Sequence, residues 1–379
     1  MPIDGTFQCA LFQVLRADTI SFSVTNRRRP EQKYLYNFST LEYNVDHMNI
    51  DKALFFKPGA IGDLLHTLPA VNAFKRTFPS AQITIVVSPG MKPVMEGSAV
   101  ADRVLIFDKT QFKKNYRDFF RFAFMLRRER FDLFVDLQPS LRSGVLRRIA
   151  GAGRTLVYRK KRLSSSGDRR MHAAENFLET LRPLGIAGDV TEIELRVSRE
   201  AVQAADAFLK RHGFDGSKKL VALNCSVGAA RPARNWFPER FSLLADRLVR
   251  EAGAMVVFIG GPEDVELVRS VMASMQEKAI PAAGNLSIAE SAALLMRCAC
   301  LVSSDTGPLH LATAVHTPVI GLFGSTDPRR TGPLGRGHQV IRKDMHCVPC
   351  EEKECPEGSR ACMEAITVAE IFDAVKRAI

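Results

Sequence analysis

From Lys52 onward, short apolar runs alternate with stretches of helical spacing. Residues 53–56, 83–87, 104–107 and 133–137 are mostly apolar and read as strands, and residues 63–78 carry a helical period. Such alternation predicts a parallel sheet covered by helices on both faces. A quieter zone over 186–218 reads as a linker with one helix. The alternation then restarts, with strands predicted at 220–223, 254–259, 300–303 and 319–323. Helices are predicted near 238–251, 262–275, 288–297 and 308–315. The chain therefore reads as α/β, with two doubly wound domains over 49–185 and 219–379. In such folds ligands sit beyond the carboxyl ends of the strands, so the cleft between the domains is the expected active site.

Residues 1–48 break this pattern: they show no sustained period, hold the basic run Arg27-Arg28-Arg29-Pro30, and lead to Met48 just before the first strand. They read either as a poorly structured extension or as sequence upstream of a start at Met48. The remaining composition, 46% hydrophobic and 25% charged, is that of a soluble globular protein. No uninterrupted apolar run approaches the roughly 18 residues a membrane span needs. Asp4 and Gly5 stand where a signal peptide would be basic, so a cytoplasmic protein is expected. Charge changes the picture more. Residues 49–185 hold 25 Lys and Arg against 12 Asp and Glu, a net +13, whereas 186–379 hold 23 against 24. An imbalance confined to one half predicts that this half faces something anionic: nucleic acid, a phosphorylated substrate or an anionic membrane.

Three loops carry candidate chemistry. Lys57-Pro58-Gly59-Ala60-Ile61-Gly62-Asp63 follows the first strand, with Gly59 and Gly62 permitting close backbone approach and Asp63 at or beside a helix N-cap. The bland alternative is a capping aspartate. A dinucleotide fingerprint needs a third glycine, so hydride chemistry is unsupported. In the second half, Ser303-Ser304-Asp305-Thr306-Gly307-Pro308-Leu309-His310 joins a strand to a helix. The positive end of that helix and the Thr306 hydroxyl make a seat for a diphosphate. The loop over 224–238 holds Ser226, Arg231, Arg234 and the only tryptophan, Trp236. Arg234 suits phosphate through its planar fork, the alternative being a solvated arginine loop. Glu263, after Gly260-Gly261-Pro262, either accepts from ribose hydroxyls or caps a helix.

Two further features stand apart. Cys347, Cys350, Cys355 and Cys362 are spaced C-x2-C-x4-C-x6-C, half of the eight cysteines. The cluster is read as structural, with Zn²⁺ as the alternative and an Fe–S site behind it, because the middle gap is short for a zinc ribbon. Residues 112–131 hold six phenylalanines and seven Lys or Arg, a basic amphipathic stretch suited to a membrane surface or, more plainly, a helix buried on its aromatic side.

In order along the chain, residues 57–63 with Leu68-Pro69-Ala70, Asp136-Leu137-Gln138, Arg234-Asn235-Trp236-Phe237-Pro238, Gly260-Gly261-Pro262, the Asp305–His310 segment and Gly321-Leu322-Phe323-Gly324-Ser325-Thr326-Asp327-Pro328 resemble glycosyltransferase family 9, the bacterial ADP-heptose:lipopolysaccharide heptosyltransferases and their relatives. The resemblance runs from about residue 49 to the C-terminus. It implies an inverting, metal-independent transferase of the GT-B type, with two Rossmann-like domains facing across a cleft. Lys57, Gly59, Gly62 and Gln138 would serve the acceptor, and Asp63 would be the general base. Ser226, Arg234, Glu263, Leu286 near adenine, and Asp305, Thr306, Gly307, Pro308, Leu309 and His310 would serve the donor, with Glu266 a second choice for ribose. No cofactor is implied beyond the ADP-sugar substrate. The acceptor would be an anionic lipopolysaccharide-type glycan, met at the cytoplasmic face of the inner membrane. The cysteine cluster departs from the better-known heptosyltransferases and puts the sugar in question.

The leading expectation is thus heptosyl transfer to the lipopolysaccharide inner core. Another nucleotide-sugar or acceptor on the same fold, as in capsule or protein glycosylation, is the second reading, and a nucleotide-sugar epimerase a further one. A nucleic-acid-binding role would need stacking aromatics or a known module, and neither is present in the sequence, so no nucleic-acid partner is expected.

Overall fold

The structure, a computed structural model, describes residues 49–161, 163, 169–228 and 230–379. The reading of residues 1–48 as an extension or upstream sequence lies outside them.

The first half is a five-stranded parallel sheet of β1 (Lys52–Phe56), β2 (Gln82–Val87), β3 (Arg103–Ile106), β4 (Leu133–Asp136) and β5 (Arg154–Val157), ordered β3-β2-β1-β4-β5. The second half is a six-stranded sheet of β6 (Leu220–Asn224), β7 (Met255–Phe258), β8 (Ile280–Pro281), β9 (Cys300–Ser304), β10 (Val319–Phe323) and β11 (Gln339–Arg342), ordered β11-β10-β9-β6-β7-β8. Every pairing is parallel. Central strands are apolar without interruption because both faces are covered. In β1, Ala53 and Phe55 enter one core, whereas Leu54 and Phe56 enter another beneath the helix Tyr116–Glu129. β6 divides likewise, with Leu220 and Ala222 on one side and Val221 and Leu223 on the other. Strand order reverses between β1 and β4 in one sheet and between β6 and β9 in the other. These are the two switch points where such folds bind ligands.

Three strands escaped the sequence reading, namely β5, β8 and β11. All are sheet edges that bury a single residue each, so no continuous apolar run marks them. The helix predicted over 63–78 is two helices, α1 (Ile61–Leu65) and α2 (Leu68–Thr77). Pro69 lies in the first turn of α2, where its missing N–H costs nothing, and its ring forbids a continuous helix through Leu65. The segment predicted over 262–275 begins with a 3₁₀ turn before the helix Val265–Ala273. Within 186–218, the helix Arg199–Arg211 packs on the helix Ile288–Leu295 of the second half, clamped by Arg297 to Asp206 at 2.7 and 2.8 Å. One apolar core runs through both halves, from Leu64 and Leu68 to Leu309 and Ala312.

Candidate active site

Lys57 leaves the end of β1 and is 3% exposed, with Nζ 3.2 Å from Asp63 Oδ2 and lying over the Phe177 ring. Burial pushes the Lys57 ammonium below its ordinary pKa, and the Asp63 carboxylate pulls it back. Gln138, beyond β4, accepts from the Gly59 N–H at 2.6 Å and from Lys57 Nζ at 3.5 Å. A side chain at Gly59 would collide with that amide. Gln138 is itself held by Asp136, which is fully buried, accepts from the Gln138 N–H at 3.1 Å and pairs with Arg147 Nε at 3.1 Å. Asp63 is not at the N-cap as the sequence suggested. It is the third residue of α1, whose N-cap is Ala60 without a side-chain cap. Its carboxylate therefore does not spend itself on the helix end: it is 58% exposed and partnered by Lys57.

At the second switch point, the Asn224 amide donates to Ser226 O at 2.9 Å, Ser303 Oγ at 3.0 Å and Thr306 Oγ1 at 3.1 Å, tying the loops after β6 and β9 together. Asp305 is 1% exposed and acts as a clamp. Its carboxylate meets Arg234 Nη1 at 3.2 Å, His310 Nε2 at 3.3 Å and the Thr331 hydroxyl at 3.0 Å, and Arg234 also donates to Asp305 O at 2.8 Å. Burial alone would raise the Asp305 pKa, but His310, Arg234 and Thr326 hold it below its ordinary value. Burial lowers the Arg234 pKa, opposed by Asp305, Glu351 and Asp63. Asp63 is thus within electrostatic reach of Arg234 from the opposite half. Thr306 is the N-cap of α12 (Gly307–Ala314, numbering the α-helices along the described chain) and makes no side-chain cap bond, so first-turn donors remain for an anion.

The remaining donor residues separate into groups. Leu309 is wholly buried against Gly321 and packs the core. Leu286 is partly buried on the central core, and the Ser226 hydroxyl accepts from the Gly228 N–H at 3.1 Å. Glu263 is exposed and lies over Gly261, while Glu266 is turned to Arg269 at 2.6 Å.

The two switch points face each other through α1 and α12. A Cβ on Gly307 would strike Ile61, and one on Gly62 would lie 2.5 Å from His310 Cδ2. Gly62 thus serves helix apposition, and Pro308 sits partly buried beside it. Around this seam lie residues the sequence reading did not single out. His66 stacks on His310 and His172 with ring centroids 4.4 and 5.1 Å apart, and neither of its ring nitrogens has a hydrogen-bond partner among the described residues. His172 Nε2 lies 3.1 Å from Gly332 O, and Arg170 crosses to buried Asp327 at 3.1 Å. Tyr158 is partly buried, and Asp63 and Arg330 both act on its hydroxyl electrostatically. Asp327 falls inside a motif already noted, and His66 lies between residues 57–63 and Leu68-Pro69-Ala70. Tyr158, Arg170 and His172 carry no local signal, because only the fold brings them to the seam. The cysteines at 347, 350, 355 and 362 are free thiols, the first three in the loop after β11 and Cys362 buried in the helix Ala361–Glu364.

Comparison with known proteins adds three findings. The family description "Glycosyltransferase family 9 (heptosyltransferase)" matches residues 119–360. The lipopolysaccharide heptosyltransferase 1 of Pseudomonas aeruginosa is 28% identical over 323 residues, covering 80% of this chain and 87% of that protein. Among solved structures, a glycosyl transferase family 9 protein from Veillonella parvula superposes with a TM-score of 0.77 at 24% identity, covering 87% of this chain and 98% of that one. An Escherichia coli heptosyltransferase solved with ADP superposes with a TM-score of 0.64 at 21% identity, covering 86% and 100%.

Proposed function

Because the chain belongs to glycosyltransferase family 9 and is a glycosyltransferase of the GT-B fold, we propose that it transfers a heptosyl group from ADP-heptose to an inner-core sugar of lipopolysaccharide, with inversion at the anomeric carbon. The donor and acceptor classes rest on its likeness to a lipopolysaccharide heptosyltransferase and to a heptosyltransferase solved with ADP. The observation that carries the chemistry is the apposition of α1, which holds Asp63 beside Lys57, and α12, whose leading loop holds Arg234 through Asp305.

In this reading Asp63 takes the proton from an acceptor hydroxyl as its oxygen attacks the anomeric carbon. The bond from that carbon to the diphosphate breaks, ADP leaves with the electron pair, and no covalent sugar–enzyme intermediate forms. Lys57 pairs with the carboxylate and aims it, and Gln138 fixes the loop between them. On the opposite side Arg234, held by Asp305, and the N-terminus of α12 meet the charge that grows on the leaving diphosphate. Glu263 is the ribose acceptor and Leu286 lies toward adenine. The acceptor's phosphates and acidic sugars match the +13 half. The helix Tyr116–Glu129 turns Arg117, Arg121, Phe124 and Arg128 to solvent, a surface suited to an anionic bilayer carrying that acceptor.

The test is transfer by the purified full chain from ADP-heptose to a deacylated inner-core acceptor, beside UDP- and GDP-sugars and an acceptor-free control. Transfer from ADP-heptose alone, with inverted anomeric configuration by NMR, is expected. Turnover only with another nucleotide-sugar would keep the mechanism and overturn the donor.

A further inference from the structure

β4 buries all four of its residues, and Asp136 is the only one of them with a polar side chain. Leu133 and Val135 enter one core and Phe134 the other, so an apolar residue at 136 would continue the strand. The Asp136 carboxylate instead makes two connections. Its Oδ1 accepts from the Gln138 N–H at 3.1 Å, a side-chain turn that fixes the start of the loop, and its Oδ2 lies 3.1 Å from Arg147 Nε. Arg147 comes from the helix Leu141–Ala150, whose start is locked by the reciprocal Ser140–Ser143 cap. Residues 137–146 are thus closed into a ring by the ion pair and pinned at the helix start. Burial raises the Asp136 pKa against the pull of Ser143 and Arg147. The desolvation of such a pair is seldom offset by its attraction, and apolar residues of similar volume serve stability as well or better. A charge placed there nonetheless points to a geometry that it holds.

What it holds is Gln138. The Gln138 carboxamide oxygen accepts from the Gly59 N–H at 2.6 Å and from Lys57 Nζ at 3.5 Å, and Lys57 Nζ is 3.2 Å from Asp63 Oδ2. Contacts therefore run without a break from Arg147 through Asp136, Gln138 and Lys57 to Asp63, crossing from the loop after β4 to the loop after β1.

We propose that Asp136 and Arg147 are positioning residues for the transfer reaction: the buried pair sets Gln138, Gln138 sets the loop from Lys57 to Gly59, and that loop presents Asp63 to the acceptor hydroxyl. The relay stands on these contacts alone; its effect on turnover rests on the function proposed above. Removing either charge should cost turnover and leave the donor side unchanged, because Arg234, Asp305 and the start of α12 belong to the other half.

The first readout needs no substrate. Hydrogen–deuterium exchange of the full chain, read at the Gly59 amide, should be about tenfold faster in D136A, R147A and Q138A than in wild type. Circular dichroism checks that each variant folds. Should D136A not fold, R147A removes the same pair from its half-buried side, where Arg147 is 27% exposed. Unchanged Gly59 exchange in folded R147A overturns the relay. The second readout is steady-state transfer from ADP-heptose to a deacylated inner-core acceptor. D136A should lower kcat roughly 10- to 100-fold, the scale of a misplaced reacting group, with ADP affinity within about twofold of wild type. Because both residues act through one chain of contacts, D136A/Q138A should be slower than the slower single variant by no more than about twofold. A multiplicative loss in the double variant overturns the path through Gln138. A fall in ADP affinity as large as the fall in kcat overturns the positioning role, since it marks general damage to the fold. A wild type that binds ADP but transfers no heptose, with Gly59 exchange still following Asp136, would support the relay and count against the proposed function.

Discussion

Asp63 and Arg234 are separable at the level of single side chains, because one faces the acceptor hydroxyl and the other the leaving group. Asp63→Asn keeps the size and polarity of the side chain but removes its basicity. Turnover should fall by roughly 10²–10⁴, while ADP affinity measured calorimetrically stays within about twofold. Full turnover in this variant would refute the assignment of the base. Arg234→Ala removes a charged group that is mostly buried and leaves Asp305 with one partner fewer. ADP should bind roughly 10- to 100-fold more weakly, the usual worth of a hydrogen-bonded charge. Arg234→Lys should recover only part of this loss, since a lysine cannot meet the Asp305 carbonyl and a phosphate with one planar fork. Equal ADP affinity in wild type and Arg234→Ala would take this arginine out of the donor site.

Central strands and long helices were legible because burial on both faces writes an uninterrupted apolar run, as in β1 and β6. Three of the edge strands were not, because β5, β8 and β11 each bury a single residue and so write no apolar run. The same logic holds for the site. Gln138 and Asp305 closely follow strands, Asp63 lies in the first helix after β1 and Arg234 in the connection after β6, and a local motif marks each of them. Tyr158 and His172 reach the seam only through tertiary packing, and Arg170 finds Asp327 from 157 residues away in sequence. The glycines of α1 and α12 show how an element-level constraint hides in a local motif. Gly62 looks like part of an anion-binding loop, yet what requires it is the His310 ring. Gly62→Ala should force the helices apart at a cost of about 1–3 kcal/mol. Small-angle scattering should report a larger radius of gyration and turnover should fall, with ADP affinity little changed. Scattering and turnover identical to wild type would contradict the helix contact. The exposed basic and aromatic face of the helix Tyr116–Glu129 predicts binding to anionic vesicles and not to phosphatidylcholine vesicles, weakened by about 0.5 M salt. R117E/R121E/R128E should abolish that binding while leaving transfer to a deacylated soluble acceptor intact. Equal binding to neutral vesicles would refute an electrostatic contact.

At the scale of the whole molecule, the seam between the halves brings the rings of His66, His172 and His310 together, with His310 against the buried Asp305 carboxylate. Burial drives the His66 pKa well below its ordinary value, and neighbouring His310 and His172 add to the effect. Burial also lowers His172 from 6.5 to about 4, against the partial support of its bond to Gly332 O. In the unfolded chain both would titrate near 6.5. Between pH 6.5 and 4 the unfolded state therefore binds more protons than the folded one, and stability must fall as pH falls through that window. For His172 alone the full shift corresponds to about 3 kcal/mol, reached only near pH 4. Because His66 is the C-cap of α1, His310 lies in α12 and His172 bonds to Gly332, protonation should push the two halves apart before it disrupts either sheet. Urea unfolding followed at pH 7.5 and pH 5.0 should show a clear loss of stability in the wild type. His66→Leu with His172→Gln should flatten that dependence, even if it lowers stability at pH 7.5. A wild-type curve as flat as that of the double variant would show that these histidines are not held neutral, and the packing of the seam would need another explanation.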